Sequence, residues 1–437
     1  MRNKSESPGR VNPPSGDASP KAFPARAPSH RVLTYPAPLH PEQTGPAQTN
    51  PAQSNSDTSA SGAAAAPATL PKALAALAQD MTDRCKLCKM CEKECPLIKE
   101  QGMPGELAAR LLAGDLSVEQ AVEIAFRCSL CGLCTQLCTV RGLDPGGFFR
   151  TLREQAVRRD PARLKPYKRL LAYERTGLTR AFSFYGLPPG VRRVFFPGCV
   201  LSGSRPETTL RTLHRLREQD SRTGFVMHCC ARPSLTLGRR EFFLEQCRTL
   251  FKRLEQSGVQ EILTACPQCS SALQEAGPSL AVRTVYEVLA GHDPEPGPGM
   301  ERVKTAVHDP CALRGERSMH AGVRTLLWNH GCSVSEMRHA HHKALCCGEG
   351  GGLALAHPEQ AEIWLQMRLQ EAKGRELAVY CAGCLERLAP HAPVRHVLDI
   401  VLDGPEAESA RPVSGPQAYR NRRHLKEEAA KLYGTKG

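Results

Sequence analysis

Two closely spaced cysteine runs constrain this chain more than any other feature. The sequence reads C-K-L-C-K-M-C-E-K-E-C from Cys85 to Cys95 and C-S-L-C-G-L-C-T-Q-L-C from Cys128 to Cys138. In a C-x₂-C-x₂-C-x₃-C run, three thiolates bind one cubane 4Fe–4S cluster and the fourth binds a second cluster. The spacing therefore predicts two cubanes, one bound by Cys85, Cys88, Cys91 and Cys138 and the other by Cys128, Cys131, Cys134 and Cys95.

Zinc is the alternative, because C-x₂-C pairs are also common zinc ligands. Three successive thiols at this spacing, twice in one chain, are awkward for separate tetrahedral sites and favour iron–sulfur clusters. Thr139 stands where the pattern usually has proline. Proline tightens the turn and binds no metal, so the substitution leaves the prediction unchanged.

The cysteines of the C-terminal half form a second pattern, which repeats after about 115 residues and indicates a duplicated unit. Short β-like runs alternate with helical runs in both copies. We therefore predict two α/β units with mainly parallel sheets and with cysteines at the strand ends. The predicted strands span residues 193–196, 261–265, 305–308 and 377–380, and the predicted helices span residues 241–255 and 358–371. The cysteines of the first copy are Cys199, Cys229, Cys230, Cys266 and Cys269, and those of the second are Cys311, Cys346, Cys347, Cys381 and Cys384.

Composition divides the rest of the chain. Residues 1–70 are rich in Pro, Ala, Ser and Gln without an apolar period, which predicts a disordered leader. Helical apolar spacing begins near residue 71, and segments 106–112 and 118–126 fit helices. The predicted fold class is α/β with a mainly α-helical ferredoxin domain. Its parts are a ferredoxin domain at 71–146, a basic helical linker at 147–190, cysteine-rich units at 191–292 and 301–404, and a basic tail at 405–437.

Charge and targeting signals limit where we expect the protein to be located and what we expect it to bind. The formal net charge is +14, but aromatic residues are only 5% of the chain and are not interleaved with the basic residues. We therefore predict no nucleic-acid binding. A secretory signal is missing, and so is an apolar run of about 18 residues. The prediction is a cytoplasmic protein that reaches the inner face of a membrane only through a partner.

The second cysteine pattern resembles the cysteine-rich domain of heterodisulfide reductase catalytic subunits of the D and B types. The motifs that carry it are His308-Asp309-Pro310-Cys311, C-C-G-E-G-G-G from Cys346 to Gly352, and Cys381-Ala-Gly-Cys384. With the ferredoxin runs, the resemblance covers roughly residues 75–402. The iron–sulfur subunits of glycolate oxidase and of the anaerobic glycerol-3-phosphate dehydrogenase share this domain order.

The resemblance implies that each five-cysteine set binds a non-cubane 4Fe–4S cluster and that the two clusters flank a bound disulfide. A structural zinc ion in each set is the alternative. Ala231 departs from the family pattern, which has glycine after the cysteine pair, and this puts a complete cluster in the first unit in doubt. The sequence has no G-x-G-x-x-G after a strand, so we expect no flavin or nicotinamide site in this chain.

Disulfide reduction to two thiols needs two protons, and histidine titrates near neutrality. The candidate catalytic residues are therefore Cys347, Cys346, His308 and His342, with a solvated surface as the alternative for the run 338–343. Cys247 and Cys332 lie outside every set, and we predict that both are buried packing thiols.

Three functions fit these motifs. The first is dithiol/disulfide redox chemistry at the two cysteine-rich units, with the ferredoxin domain supplying electrons. The second is an electron-relay subunit of a membrane-associated redox complex, and the third is the iron–sulfur subunit of a flavin-linked 2-hydroxyacid or glycerol-3-phosphate dehydrogenase. Both repeats keep all their cysteines, which favours the first. The predicted partners are other redox subunits, namely a flavoprotein, a cytochrome or a membrane quinone-linked subunit, with a disulfide as substrate.

Overall fold

The computed structural model describes residues 70–294, 296 and 300–434. The predicted leader therefore lies, except for residue 70, outside the described residues. Helices alternate with mainly parallel strands through the C-terminal half, which confirms the predicted α/β class. Within the described ranges, every helix is too short or too polar to cross a bilayer.

The two cysteine runs lie in a helical segment with no strand among its described residues. The predicted helical segments at 106–112 and 118–126 are confirmed. Apolar residues four apart on the first helix, Leu74 and Ala78, are buried against the other helices because that spacing places them on one face. The helices are α1 (Lys72–Arg84), α2 (Met90–Glu94), α3 (Pro96–Gln101), α4 (Pro104–Ala113), α5 (Val118–Phe126) and α6 (Leu133–Leu137).

The basic linker contains two helices, α7 (Pro145–Arg159) and α8 (Lys168–Leu178), joined by a 3₁₀ segment, Pro161–Tyr167. Proline has no amide hydrogen, so two prolines in the connecting segment prevent a continuous α-helix. The apolar face of α7 is buried in the core of the helical segment. The linker is therefore an integral part of the packed structure.

The first cysteine-rich unit is built on a five-stranded sheet of order β1-β3-β2-β4-β5. All its strand pairs are parallel except β1–β3, because β1 enters from the linker. The predicted elements at 193–196, 241–255 and 261–265 are confirmed to within one residue. The elements are β1 (Phe184–Gly186), β2 (Arg193–Phe196), α9 (Cys199–Ser204), α10 (Pro206–Gln219), β3 (Gly224–Met227), α11 (Arg232–Thr236), α12 (Arg240–Gln256), β4 (Glu261–Thr264), α13 (Pro267–Glu275), β5 (Ala281–Thr284) and α14 (Val285–Ala290).

The second unit repeats this plan on a four-stranded parallel sheet of order β7-β6-β8-β9. The predicted elements at 305–308, 358–371 and 377–380 are again confirmed, with shifts of at most two residues. Short 3₁₀ segments occur at Cys311–Leu313, His341–Lys343 and Gly350–Gly352. The remaining elements are β6 (Val303–His308), α15 (Arg317–Asn329), β7 (Cys332–Val334), α16 (Leu353–Ala356), α17 (Pro358–Ala372), β8 (Leu377–Val379), α18 (Ala382–Leu388), β9 (Val394–His396) and α19 (Val397–Asp403).

The segment predicted only as a basic tail folds into a helix, α20 (Gly415–Leu432). The Ser414 hydroxyl caps its first turn by accepting from the Gln417 amide at 3.4 Å. Leu425 and Ala429 join a hydrophobic core that both sheets share. The helix therefore belongs to the folded body and packs beside the first cysteine-rich unit.

Candidate metal centres

The first predicted ferredoxin set is drawn from both cysteine runs. Cys85 ends α1 and Cys91 lies on α2. Burial and the nearby thiols of Cys85 and Cys88 raise the pKa of Cys91 to about 11. The Cys88 Sγ lies 3.7 Å from the Thr139 hydroxyl, next to Cys138 in the chain. The fold therefore brings the start of the first run beside the end of the second.

The second predicted set lines one narrow cavity. Cys95, Cys128, Cys131 and Cys134 face it together with apolar side chains that include Trp364. Burial raises the pKa of Cys128 to about 11, and burial with the neighbouring thiols raises that of Cys134 well above its usual value. An apolar cavity with four converging thiols is a poor environment for free thiolates. The same cavity suits a bound cation, because its positive charge neutralises the thiolates.

The first cysteine-rich unit gathers its five thiols at the carboxyl ends of its parallel strands. Cys199 follows β2, the pair Cys229-Cys230 follows β3, and Cys266 follows β4. The Cys229 thiol lies within hydrogen-bonding range of Cys199, and the Cys269 thiol lies within range of Cys230 and Cys266. The thiols therefore converge on one place at this edge of the sheet.

Ala231 keeps the backbone turn for which the family pattern uses glycine. Its φ is +52°, in the left-handed region, and the corresponding Gly348 of the second unit has φ +90°. This turn follows the cysteine pair directly, so adjacent thiols can reach the same cluster. The substitution costs backbone strain but leaves the geometry of the first set in place.

The second unit repeats this arrangement with Cys311, the pair Cys346-Cys347, and the pair Cys381 and Cys384. The Sγ atoms of Cys347 and Cys384 are 3.3 Å apart. The Cys346 thiol lies within hydrogen-bonding range of Cys311 and Cys347. The neighbouring Cys346 and Cys384 thiols and His308 hold the pKa of Cys347 well below the usual thiol value, although burial opposes them.

The four sets follow one another in series. Cys134 of the second ferredoxin set lies close enough to Cys91 of the first for their charges to interact. Cys131 packs in the same buried cluster as Cys346 of the second cysteine-rich unit. Cys266 of the first unit and Cys381 of the second directly follow Ala265 and Tyr380, and the Tyr286 hydroxyl lies 2.8 and 2.9 Å from the carbonyl oxygens of those two residues. The order is therefore first ferredoxin set, second ferredoxin set, second unit and first unit.

These residues fit iron–sulfur clusters. All the cysteines are free thiols, the soft ligands that such clusters take. Gly198 has φ +86°, and a Cβ there would lie 3.0 Å from the Cys269 Sγ, so the backbone closes tightly round the first unit's thiols. Buried guanidinium nitrogens of Arg314 and Arg422 have no hydrogen-bond partner among the described residues. Both arginines face thiols, so a negatively charged cluster would neutralise them.

Buried arginines lie beside the thiol sets, and the sequence did not reveal them. Arg153 on α7 donates to backbone carbonyls of the ferredoxin segment and of both cysteine-rich units. Arg314 donates from Nε to the Cys131 carbonyl at 2.8 Å and from Nη1 to the Ala344 carbonyl. Their local sequence resembles that of any basic surface segment, so only the packing shows that they are buried.

The two candidate histidines occupy different environments. His308 is buried, and its Nδ1 accepts a hydrogen bond from Arg368 Nε at 2.9 Å. Arginine is always a donor, so a neutral His308 carries its proton on Nε2, which has no hydrogen-bond partner among the described residues. His342 is exposed, and its carbonyl accepts from Arg314 at 3.2 Å.

Cys247 and Cys332 lie outside every set, as expected. Cys247 lies in the apolar core beneath α12, and Cys332 begins β7 in the shared core. Both side chains are at most 2% exposed. Their predicted burial is confirmed.

Two family models match this chain. The model of a 4Fe–4S dicluster domain matches residues 81–141. The model of a cysteine-rich domain matches twice, at residues 193–274 and 305–389. The matches cover both ferredoxin runs and both five-cysteine units.

The curated relatives that this chain resembles include subunits of redox enzymes. The chain is 27% identical over 310 residues to a fumarate reductase (CoM/CoB) subunit of Methanothermobacter marburgensis, covering 64% of this chain and 61% of that protein. It is 23% identical over 370 residues to a dihydromethanophenazine:CoB–CoM heterodisulfide reductase subunit of Methanosarcina mazei, covering 73% and 90%. It is also 23% identical over 405 residues to the glycolate oxidase iron–sulfur subunit of Escherichia coli, covering 77% and 97%.

Proposed function

Because this chain is an iron–sulfur subunit of the oxidoreductase type, homologous to these redox subunits, we propose that it performs dithiol/disulfide redox chemistry. In this proposal electrons enter at the ferredoxin domain and pass to the second cysteine-rich unit and then to the first. The observation that carries the proposal is that the cysteine sets adjoin: Cys131 packs in one buried cluster with Cys346, and the Tyr286 hydroxyl bridges the carbonyls that directly precede Cys266 and Cys381. A site between two cysteine-rich units is suited to a reaction that needs two electrons.

The proposal assigns four clusters to the chain. Two are cubanes on the two ferredoxin sets, as assigned above from the cysteine spacing. Two are non-cubane clusters on the five-cysteine sets, because a fifth thiol exceeds what one cubane or one tetrahedral zinc ion takes. When bound, these clusters supply one-electron carriers. The proposed domains keep the boundaries at residues 71, 147, 191, 301 and 405.

The reaction consumes a disulfide, two electrons and two protons and yields two thiols. A reduced partner subunit supplies the electrons. Cys347 is the proposed centre of the reactive set, because its Sγ lies 3.3 Å from that of Cys384 and within 4.8 Å of a ring nitrogen of His308. Arg368 donates to Nδ1 of His308, so the Nε2 proton, which has no hydrogen-bond partner among the described residues, is available for donation at this set. His342 is at the surface, where it can exchange protons with water.

An electron-relay subunit is the second candidate function. The relative from glycolate oxidase, matched over 97% of its length, supports it. A relay needs the same series of thiol sets but no disulfide site. Under either function the proposed partners are other redox subunits: a flavoprotein, a cytochrome or a membrane quinone-linked subunit.

A pair of cysteine variants distinguishes disulfide redox chemistry from electron relay. In Cys347→Ser a hydroxyl replaces a soft thiolate, so we expect loss of disulfide reduction while the ferredoxin cubanes remain. Cys247→Ser is the matched control, because that thiol is buried outside every set. Each variant is assayed for iron content, for EPR signals and for reduction of a small disulfide by an artificial donor.

Full disulfide turnover by Cys347→Ser would exclude the second unit as the site. A wild-type protein that reduces no disulfide, yet passes electrons to a co-purified partner, would replace the disulfide proposal with the relay.

A further inference from the structure

The C-terminal helix brings a buried arginine to the first cysteine-rich unit. Helix α20 packs along α9, the helix that Cys199 begins, and Asn421 Nδ2 donates to the Gly203 carbonyl at 2.7 Å. Arg422, the next residue, is 1% exposed. Its guanidinium lies over the rings of Tyr173 and Phe182, with 5.2 and 5.3 Å to their centroids. This helix lies beyond both matched cysteine-rich domains, which end at residue 389.

The Arg422 guanidinium lies beside the thiols of the first cysteine-rich unit. Its electrostatic neighbours are Cys199 and Cys229, together with Tyr173. A Cβ built on Gly177 would lie 3.2 Å from Arg422 Nη2 and 3.3 Å from the Cys199 Sγ, so both groups meet at the same glycine. Because Gly177 has no side chain, none is present there to separate the Arg422 guanidinium from the Cys199 thiol.

The described residues do not neutralise Arg422. Its Nε and Nη1 have no hydrogen-bond partner there, and the ion pairs of the described chain do not include it. An unpaired buried charge is strongly unfavourable. At the second unit Arg368 is paired with Glu371 at 2.8 Å, whereas Arg314 keeps one guanidinium nitrogen without a partner among the described residues.

We propose that Arg422 is a positioning residue that compensates the negative charge of the cluster bound by the first cysteine-rich set. The inference rests on the proposed loading of that set with a cluster, and it does not depend on disulfide activity. A fixed positive charge favours the more negative, reduced state of a nearby cluster. Arg422 therefore raises the reduction potential of the cluster in the first cysteine-rich unit.

The test is a set of matched variants in the full-length, cluster-loaded protein. Arg422→Met removes the charge and keeps an apolar side chain of similar length, and Arg422→Lys restores the charge. Arg423→Met is the control, because Arg423 is the adjacent, exposed residue of the same helix. The measurements are iron content and an EPR-monitored redox titration of every cluster.

We expect Arg422→Met to make reduction of one cluster at least about tenfold less favourable, which lowers a one-electron potential by about 59 mV. Arg422→Lys recovers most of this change, and Arg423→Met leaves all potentials unchanged. If Arg422→Met loses the cluster altogether and Arg422→Lys keeps it, the charge is again required.

Unchanged potentials in Arg422→Met at full iron content would overturn the inference, as would equal cluster loss in the Met and Lys variants, which would indicate packing alone. If the wild-type protein holds only ferredoxin clusters, the proposed loading of the first set fails before any variant is compared.

Discussion

Replacing Arg153 by methionine is expected to destabilise the whole assembly of helical segment and cysteine-rich units. Arg153 is fully buried, and its guanidinium donates to five backbone carbonyls. Thr236 of the first unit and Gly351 of the second accept at 2.8 and 3.1 Å. The other acceptors are in the ferredoxin segment: Ala125, Phe126 and Cys128.

The expected loss follows from these contacts. A hydrogen bond to a charged group contributes about 1.5–3 kcal/mol, and burial of the apolar methionine side chain offsets part of the total. We expect the free energy of unfolding to fall by about 5 kcal/mol, close to the cost of breaking a buried charged network. That loss lowers the melting temperature by roughly 10 °C. The assay is anaerobic thermal unfolding followed by circular dichroism, with visible absorbance reporting the clusters.

The matched control is Arg158→Met on the same helix. Arg158 is 53% exposed in its side chain and pairs with Glu241, which is 82% exposed. Such exposed pairs contribute at most about 1 kcal/mol. A melting temperature for Arg153→Met equal to that of Arg158→Met would refute the view that this arginine joins the three parts of the fold.

Two further variants test individual contacts. Gly348→Ala would place a Cβ 2.4 Å from the Ala361 carbonyl oxygen at φ +90°. We therefore expect the free energy of unfolding to fall by about 3 kcal/mol and the second unit to lose its iron, as measured by thermal melting and iron content. The control is Ala231→Gly at the same turn of the first unit, which should change the free energy of unfolding by less than about 1 kcal/mol. Arg314→Met removes the donor to the Cys131 carbonyl, so we expect a loss of about 3 kcal/mol and slower electron passage from the ferredoxin cubanes, measured by rapid mixing with a reductant. If Gly348→Ala keeps wild-type stability and iron content, the close approach at Gly348 does not matter. If Arg314→Met keeps wild-type stability and electron passage, its hydrogen bond to the Cys131 carbonyl does not matter.

The sequence predicted the elements that depend on local pattern. The strand at 193–196 and the helix at 118–126 were predictable because apolar periodicity and turn residues are properties of a short window. The repeat was predictable because the cysteine offsets are regular. The short edge strand β1 was not predicted, since three residues carry too little pattern and its pairing with β3 is a tertiary contact.

The candidate site was predictable in its residue types and less so in its surroundings. The cysteine spacing predicts which thiols belong to each set. The proximity of Cys131 to Cys346 depends on how separate parts of the chain pack. Arg153 and Arg422 lie in segments whose charge density is typical of surface helices. Burial of such a residue depends on distant acceptors and thiols, which no local window contains.

Iron and sulfide content of the anaerobically purified wild-type protein tests the central claim most directly. We expect about sixteen irons and as many sulfides per chain, as four clusters of four irons. About eight irons would show that only the two ferredoxin sets are loaded. Stoichiometric zinc with little iron would contradict the account as a whole.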